Sequence, residues 1–180
     1  MVYLYLAEGF EEIEAVTIAD VLRRGGADVK TVSTGTKLLK GAHGIAVEAD
    51  LTIDEADTAG CEMIIFPGGM PGTINLKKDR RVTDIITAFA KDSNKKIAAI
   101  CAAPMILGGL GILKGKKATI YPGMEDGLTG AEPCEDKVVT DGNIITSKAP
   151  GTAMEFALEL LAVLKDKAIA EEVRKGLVMS

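Results

Sequence analysis

The 180-residue chain has no tryptophan, one histidine (His43), three cysteines and no surplus of basic side chains. With a single histidine and no CxxC or HxxxH pair, almost nothing is left for a zinc site, and no metal or other cofactor is expected. Cys61, Cys101 and Cys134 are odd in number and widely spaced, which excludes a disulfide framework and suggests a reducing cytoplasm. Lysine and arginine total 21 against 26 acidic residues, a net charge of −5. No basic stripe is present, so a phosphate footprint for nucleic acid is not expected. No apolar run reaches the roughly 18 residues of a membrane span. The opening MVYLYLAEGFEEIE starts apolar but lacks a basic n-region and turns acidic at Glu8, so it does not read as a secretory signal.

What is present is an ordinary globular composition, 47% hydrophobic and 26% charged, which excludes disorder for the body of the chain. The length suits one domain over residues 1–180 with a substantial core. Short apolar runs alternate with helical patterns. Strands are expected at Val2–Ala7, Val29–Ser33, Met63–Phe66, Ile97–Ile100 and Ala118–Tyr121, with a hairpin of Val138–Thr140 and Ile144–Thr146 around Asp141-Gly142-Asn143. Helices are expected at Glu11–Arg24, stopped by Gly25-Gly26, at Arg81–Lys91, from near Pro104, at Thr152–Leu164 and at Lys167–Lys175. Residues 34–50 read as a small β excursion, and Asp54–Ala59 as one or two helical turns. Alternating strands and helices imply a mostly parallel sheet covered on both faces.

Ligands of such sheets bind beyond the carboxyl ends of the strands. Four segments follow strands there: GFEEIE at 9–14, PGGMPG at 67–72, CAAP at 101–104 and KAPGT at 148–152. Cys101 sits between a strand and a helix among small residues, the setting a nucleophile needs on a tight turn. The following helix would favour a thiolate through its free N–H groups and dipole. A small buried hydrophobe is the competing reading. On a helical wheel Glu14 falls between Val21 and Ile18, inside the apolar sector. Buried there, its pKa would rise. The competing reading, and the one its position alone favours, is an acid at the sector's edge that snorkels to water. Ile13 and Val16 point away from that sector and could form a partner surface. PGGMPG can present bare backbone N–H groups as an anion nest, Gly68 and Gly69 among them, or be an ordinary loop. No Walker loop or dinucleotide fingerprint occurs. His43 reads as an exposed or capping loop residue.

Taken in order, GFEEIEAV, FPGGMPG, AAICAAP and SKAPGTAMEFAL resemble the DJ-1/PfpI family over essentially the whole chain, and most nearly its bacterial YajL/ThiJ-type branch. The resemblance implies a flavodoxin-like three-layer sandwich, class I glutamine-amidotransferase-like, and usually a homodimer using the first helix, which agrees with outward Ile13 and Val16. It implies an oxidation-prone nucleophile, here Cys101, and a glutamate hydrogen-bonded to it, here Glu14. The backbone donors map onto Gly69 and Ala102, and Pro150-Gly151 onto the segment beside the pocket. Three positions depart from the pattern. Tyr121 in TIYPG stands where many relatives carry a histidine, and His43 and Lys148 align with anion-binding arginines. No histidine follows Cys101, so a Cys-His-Asp hydrolase triad is not supported.

The resemblance implies carbonyl- or oxidative-stress chemistry: glutathione-independent conversion of methylglyoxal or glyoxal, or of their adducts, to a hydroxy acid. A redox sensor or chaperone using the same cysteine is the alternative. A role in thiamine biosynthesis ranks last, because no thiazole-phosphate or nucleotide fingerprint is seen.

Overall fold

The computed structural model describes residues 1–179. In chain order the elements are β1 (Val2–Leu6), α1 (Glu12–Arg24), β2 (Val29–Ser33), β3 (Leu38–Lys40), β4 (Ala46–Glu48), β5 (Leu51–Thr52), β6 (Met63–Phe66), α2 (Gly72–Lys78) and α3 (Arg80–Ala90). Then come β7 (Lys96–Ile100), α4 (Pro104–Gly109), β8 (Lys117–Ala118), β9 (Glu132–Pro133), β10 (Val138–Asp141), β11 (Ile144–Ser147), α5 (Ala153–Leu164) and α6 (Lys167–Gly176).

Seven strands form the central sheet in the order β10-β11-β7-β6-β1-β2-β5. All pair in parallel except the β10–β11 hairpin. Because side chains alternate along a strand, each strand feeds two cores. Val2, Leu4 and Leu6 of β1, with Met63 and Ile65 of β6, meet α1 and α5 on one face. Tyr3, Tyr5, Ile64 and Phe66 meet α3 and α4 on the other. Strands buried on both sides read as continuous apolar runs, as VYLYL and MIIF do. The result is the flavodoxin-like, class I glutamine-amidotransferase-like sandwich expected from the sequence.

Two neighbours of β1 set the site's position. The chain runs from β1 outward to β2, then returns to place β6 on β1's other side. The reversal opens a crevice at the carboxyl ends of β1 and β6, where an open α/β sheet binds ligands.

Two expectations need correction, and one helix was not expected. Asp54–Ala59 is not helical. Glu55 accepts from the Thr52 amide at 2.7 Å and Asp57 from the Ala59 amide at 2.9 Å, and such local side-chain bonds compete with a helical ladder. Ala118–Tyr121 is not a strand of the main sheet. Only Lys117–Ala118 pairs, with Glu132–Pro133, while the Thr119 amide donates to Thr146 Oγ1 and the Tyr121 amide to the Cys101 carbonyl. Gly72–Lys78, hidden behind Pro71 and Gly72, forms α2. The other boundaries differ by one or two residues, within ordinary fraying. Among the described residues no helix is long and apolar enough to cross a membrane.

Helix α1 lies against α5, and fully buried Leu161 packs directly over Gly25 at the end of α1. Leu161→Ala is expected to cost about 2–5 kcal/mol, the usual range for a core leucine. Urea denaturation should show a lower midpoint with an unchanged slope. A loss under 1 kcal/mol would mean that this helix pair does not hold the layer together.

Candidate active site

Cys101 follows β7 directly and takes φ +63°, a left-handed backbone that non-glycine residues seldom adopt. The elbow is tied on both sides. Its amide donates to the Ser147 carbonyl at the end of β11, and its carbonyl accepts from the Tyr121 amide, both at 2.9 Å. Ala102 and Ala103 are buried small residues, and Pro104 opens α4. The thiol is nearly covered, with Cys101 only 8% exposed.

Glu14 comes from the first turn of α1 and is fully buried. Its Oε2 accepts from the Gly68 amide at 2.6 Å, and its Oε1 has no hydrogen-bond partner among the described residues. Gly68 lies between acid and thiol. A Cβ there would stand 2.7 Å from Cys101 Cβ, 2.9 Å from Sγ and 3.0 Å from Glu14 Oε2, so only glycine fits unchanged. Gly69, at φ +91°, packs against the backbone of Gly9, Phe10 and Glu11. Loops after β1, β6 and β7 therefore bring Glu14, Gly68-Gly69 and Cys101 together.

The electrostatics follow from burial. Desolvation pushes Glu14 up to about 7, against the opposing Gly68 N–H. Burial, then the nearby Glu14 carboxylate, pushes the Cys101 thiol up to about 12, while the N–H groups of Ala102 and Gly69 favour the sulfur's charge. This corrects the expectation of a thiol lowered by the dipole of the following helix. That helix, α4, is only six residues long, and it does not outweigh a dry site with an acid in it. Two adjacent negative charges do not coexist there. The pair carries at most one charge near neutrality, and its protons belong to the pair rather than to either residue.

The remaining candidates fall into two groups. Pro150 begins a short 3-10 turn after β11 and is half-buried, and Tyr121 is tethered to the elbow by its backbone, its ring 45% exposed. His43 does not stand free: its Nδ1 is 2.9 Å from Glu12 Oε2, and Lys148 pairs with Glu135. Ile13 and Val16 are exposed at 58% and 51%, facing outward as the helical spacing requires. Cys61 is buried and Cys134 partly exposed, each a free thiol. Glu11 and Glu12, at the very start of α1, were not among the candidates. Both are buried against the loop bearing His43, and nothing in their spacing signalled a contact 31 residues away.

A strained cysteine at a strand-to-helix elbow, beside a buried acid at the switch point of a flavodoxin-like sandwich, defines a class of cysteine-centred α/β proteins. The DJ-1/PfpI family model matches residues 1–163, and the chain belongs to that family. It is 38% identical over 181 residues to Protein DJ-1 homolog A of Arabidopsis thaliana, covering 99% of this chain and 46% of the plant protein. The chain thus spans less than half the length of that relative. It is 33% identical to the glutathione-independent glyoxalase DJR-1.2 of Caenorhabditis elegans, covering 96% of this chain and 92% of the other. The structure of oxidized Toxoplasma gondii DJ-1 superposes with a TM-score of 0.95 at 36% identity, covering 99% of this chain and 98% of that one. These three relatives are eukaryotic, so they establish the family and not the bacterial branch.

If one proton is shared across the pair, alkylation of Cys101 should already accelerate as pH rises through about 7, well below the thiol's own titration. Glu14→Gln cannot share the proton and should lose that acceleration near pH 7. Iodoacetamide kinetics between pH 5 and 11, with Cys101 followed by mass spectrometry, measure this. A single free-thiol titration, the same in both proteins, would contradict a coupled pair.

Proposed function

We propose that the protein is a glutathione-independent glyoxalase-type enzyme, turning small dicarbonyls such as methylglyoxal, or their adducts, into hydroxy acids. The observation that carries this reading is the juxtaposition of the Cys101 thiol and the buried Glu14 carboxyl across Gly68. A group with a pKa near 7 is suited to both accepting and donating a proton at neutral pH.

In the proposed sequence the thiol proton passes to Glu14 as Sγ attacks the aldehyde carbon, forming a hemithioacetal. The N–H groups of Gly69 and Ala102, which favour charge on the sulfur, also offer donors to the new oxyanion. Glu14, having returned its first proton to that oxyanion, removes the hydrogen from the former aldehyde carbon and delivers it to the neighbouring carbonyl carbon, while the hydroxyl proton passes from the first oxygen to the second. That leaves a thioester with a hydroxyl beside it. Water cleaves the thioester, releasing lactate and restoring the thiol, so methylglyoxal and one water balance lactate. Pro150 would border the substrate. Tyr121, exposed beside the elbow, would act as a wall rather than a base. Placement within the YajL/ThiJ-type branch belongs to the same proposal and rests on the order of the four sequence motifs.

A second reading uses the same geometry. Peroxide would oxidise the Cys101 thiol to a sulfenic acid, with water as the other product, and further to a sulfinic acid. Glu14 Oε1, buried without a partner, could carry a proton toward the oxidised sulfur. The protein would then serve as a redox sensor or chaperone. Thiamine biosynthesis stays the weakest reading. In either main reading we place the protein in the cytoplasm and as a homodimer through α1, where Ile13 and Val16 leave apolar surface exposed.

Cys101→Ser and Glu14→Gln should each reduce lactate formation from methylglyoxal by at least a hundredfold, with Cys134→Ser unchanged, as read by a lactate dehydrogenase-coupled assay. Full turnover in either site variant would remove the catalytic reading. Stoichiometric peroxide capture at Cys101 without turnover would favour the sensor.

A further inference from the structure

The first turn of α1 carries a second cluster that the reaction above does not use. Glu11 caps the helix and Glu12 begins it. The loop 41–45 folds over both. Glu12 Oε1 accepts from the amides of His43 at 2.7 Å and Ile45 at 3.3 Å, and its Oε2 lies 2.9 Å from His43 Nδ1. The carboxylate sits on Gly41, where any Cβ would overlap it. Glu11 is only 7% exposed, and among the described residues no donor hydrogen-bonds to its carboxylate. Its Oε2 points into the cluster, 3.6 Å from the same Nδ1. One ligand atom from each of the three residues lies within 4.8 Å of the others.

We propose that Glu11, Glu12 and His43 form a site for one divalent first-row transition ion, zinc serving as the reference case. Two carboxylate oxygens and one imidazole nitrogen, with a water completing the shell, make a mixed donor set that such ions accept. Metal–ligand distances of about 2.1 Å put tetrahedral ligands about 3.4 Å apart. The Glu11–His43 separation is already close to that edge, and the Glu12–His43 contact needs to open by about half an ångström. A protonated His43 is the simpler occupant, and both acids do raise its affinity for a proton. But Nδ1 offers one N–H, and Glu12 takes it. Glu11 is then left with only the longer 3.6 Å contact to the same Nδ1, whereas an ion at the centre engages both acids. The positive end of the α1 dipole, about half a charge, opposes a cation here and is outweighed by two carboxylates. His43 is largely exposed, giving the ion a path from solvent. Binding displaces any proton on Nδ1 to solvent and involves no change of oxidation state.

The test uses untagged protein in a Cys101→Ser/Cys134→Ser background, so that neither accessible thiol competes for metal. Zinc is titrated against a chromophoric chelator. The parent should bind one equivalent, and Glu11→Gln and His43→Ala should each bind at least tenfold more weakly. Cobalt should give an absorption spectrum without thiolate charge transfer. Neither substitution threatens the fold, one being isosteric and the other at an exposed side chain. Unchanged affinity in either variant, or a parent that binds no ion, overturns the proposal. Because the readout is metal affinity in a protein lacking Cys101, the result is independent of the glyoxalase reading.

Discussion

The site is organised by one hydrogen bond, from the Gly68 amide to the fully buried carboxyl of Glu14. An acid inside an apolar helix face costs free energy unless something answers it. Here the answer comes from a different crossover of the sheet, across the gap where strand order reverses. The bond therefore does more than satisfy a donor. It locks the loop after β6 against α1 and fixes the distance between acid and thiol. Gly68 makes the arrangement possible, because its missing side chain is the space that Glu14 and Cys101 share.

That geometry sets the electrostatics. Burial raises the proton affinity of both groups, and proximity prevents both from being charged. The backbone N–H groups of Gly69 and Ala102 act at the sulfur, while Gly68 acts at the carboxylate. The site is thus a proton-sharing pair held between three amides. The strained φ of Cys101 belongs to the same design. It turns the thiol back over Gly68, and hydrogen bonds to Ser147 and Tyr121 hold it there. Helix α1 is put to three uses along its length. Its first turn holds Glu11 and Glu12 against the loop of His43, its inner face packs on the sheet and α5, and its outer face leaves Ile13 and Val16 uncovered.

Much of the architecture was legible because its signals are local. VYLYL and MIIF are apolar at every position, which marks strands covered on both faces. The wheel position of Glu14 and the small residues around Cys101 likewise follow from short-range periodicity and turn sterics. The misread segments are those where long-range contacts or side-chain bonds decide. Glu55 and Asp57 unmake the expected turns at 54–59, and the Cys101 carbonyl and Thr146 hydroxyl claim the amides of Tyr121 and Thr119. Helix α2 begins at residues whose usual meaning is to end helices.

By itself, the order of apolar runs and glycine turns determined a parallel sandwich, a cysteine at a strand-to-helix elbow and an acid within an apolar helix face, because each is written in neighbouring residues. No local pattern placed the acid beside the thiol, which only the family resemblance implied, and the tertiary structure alone decided that the thiol is raised rather than lowered and that His43 reaches Glu11 and Glu12. Those outcomes depend on desolvation and on contacts between residues far apart in the chain, and neither is encoded in any local pattern.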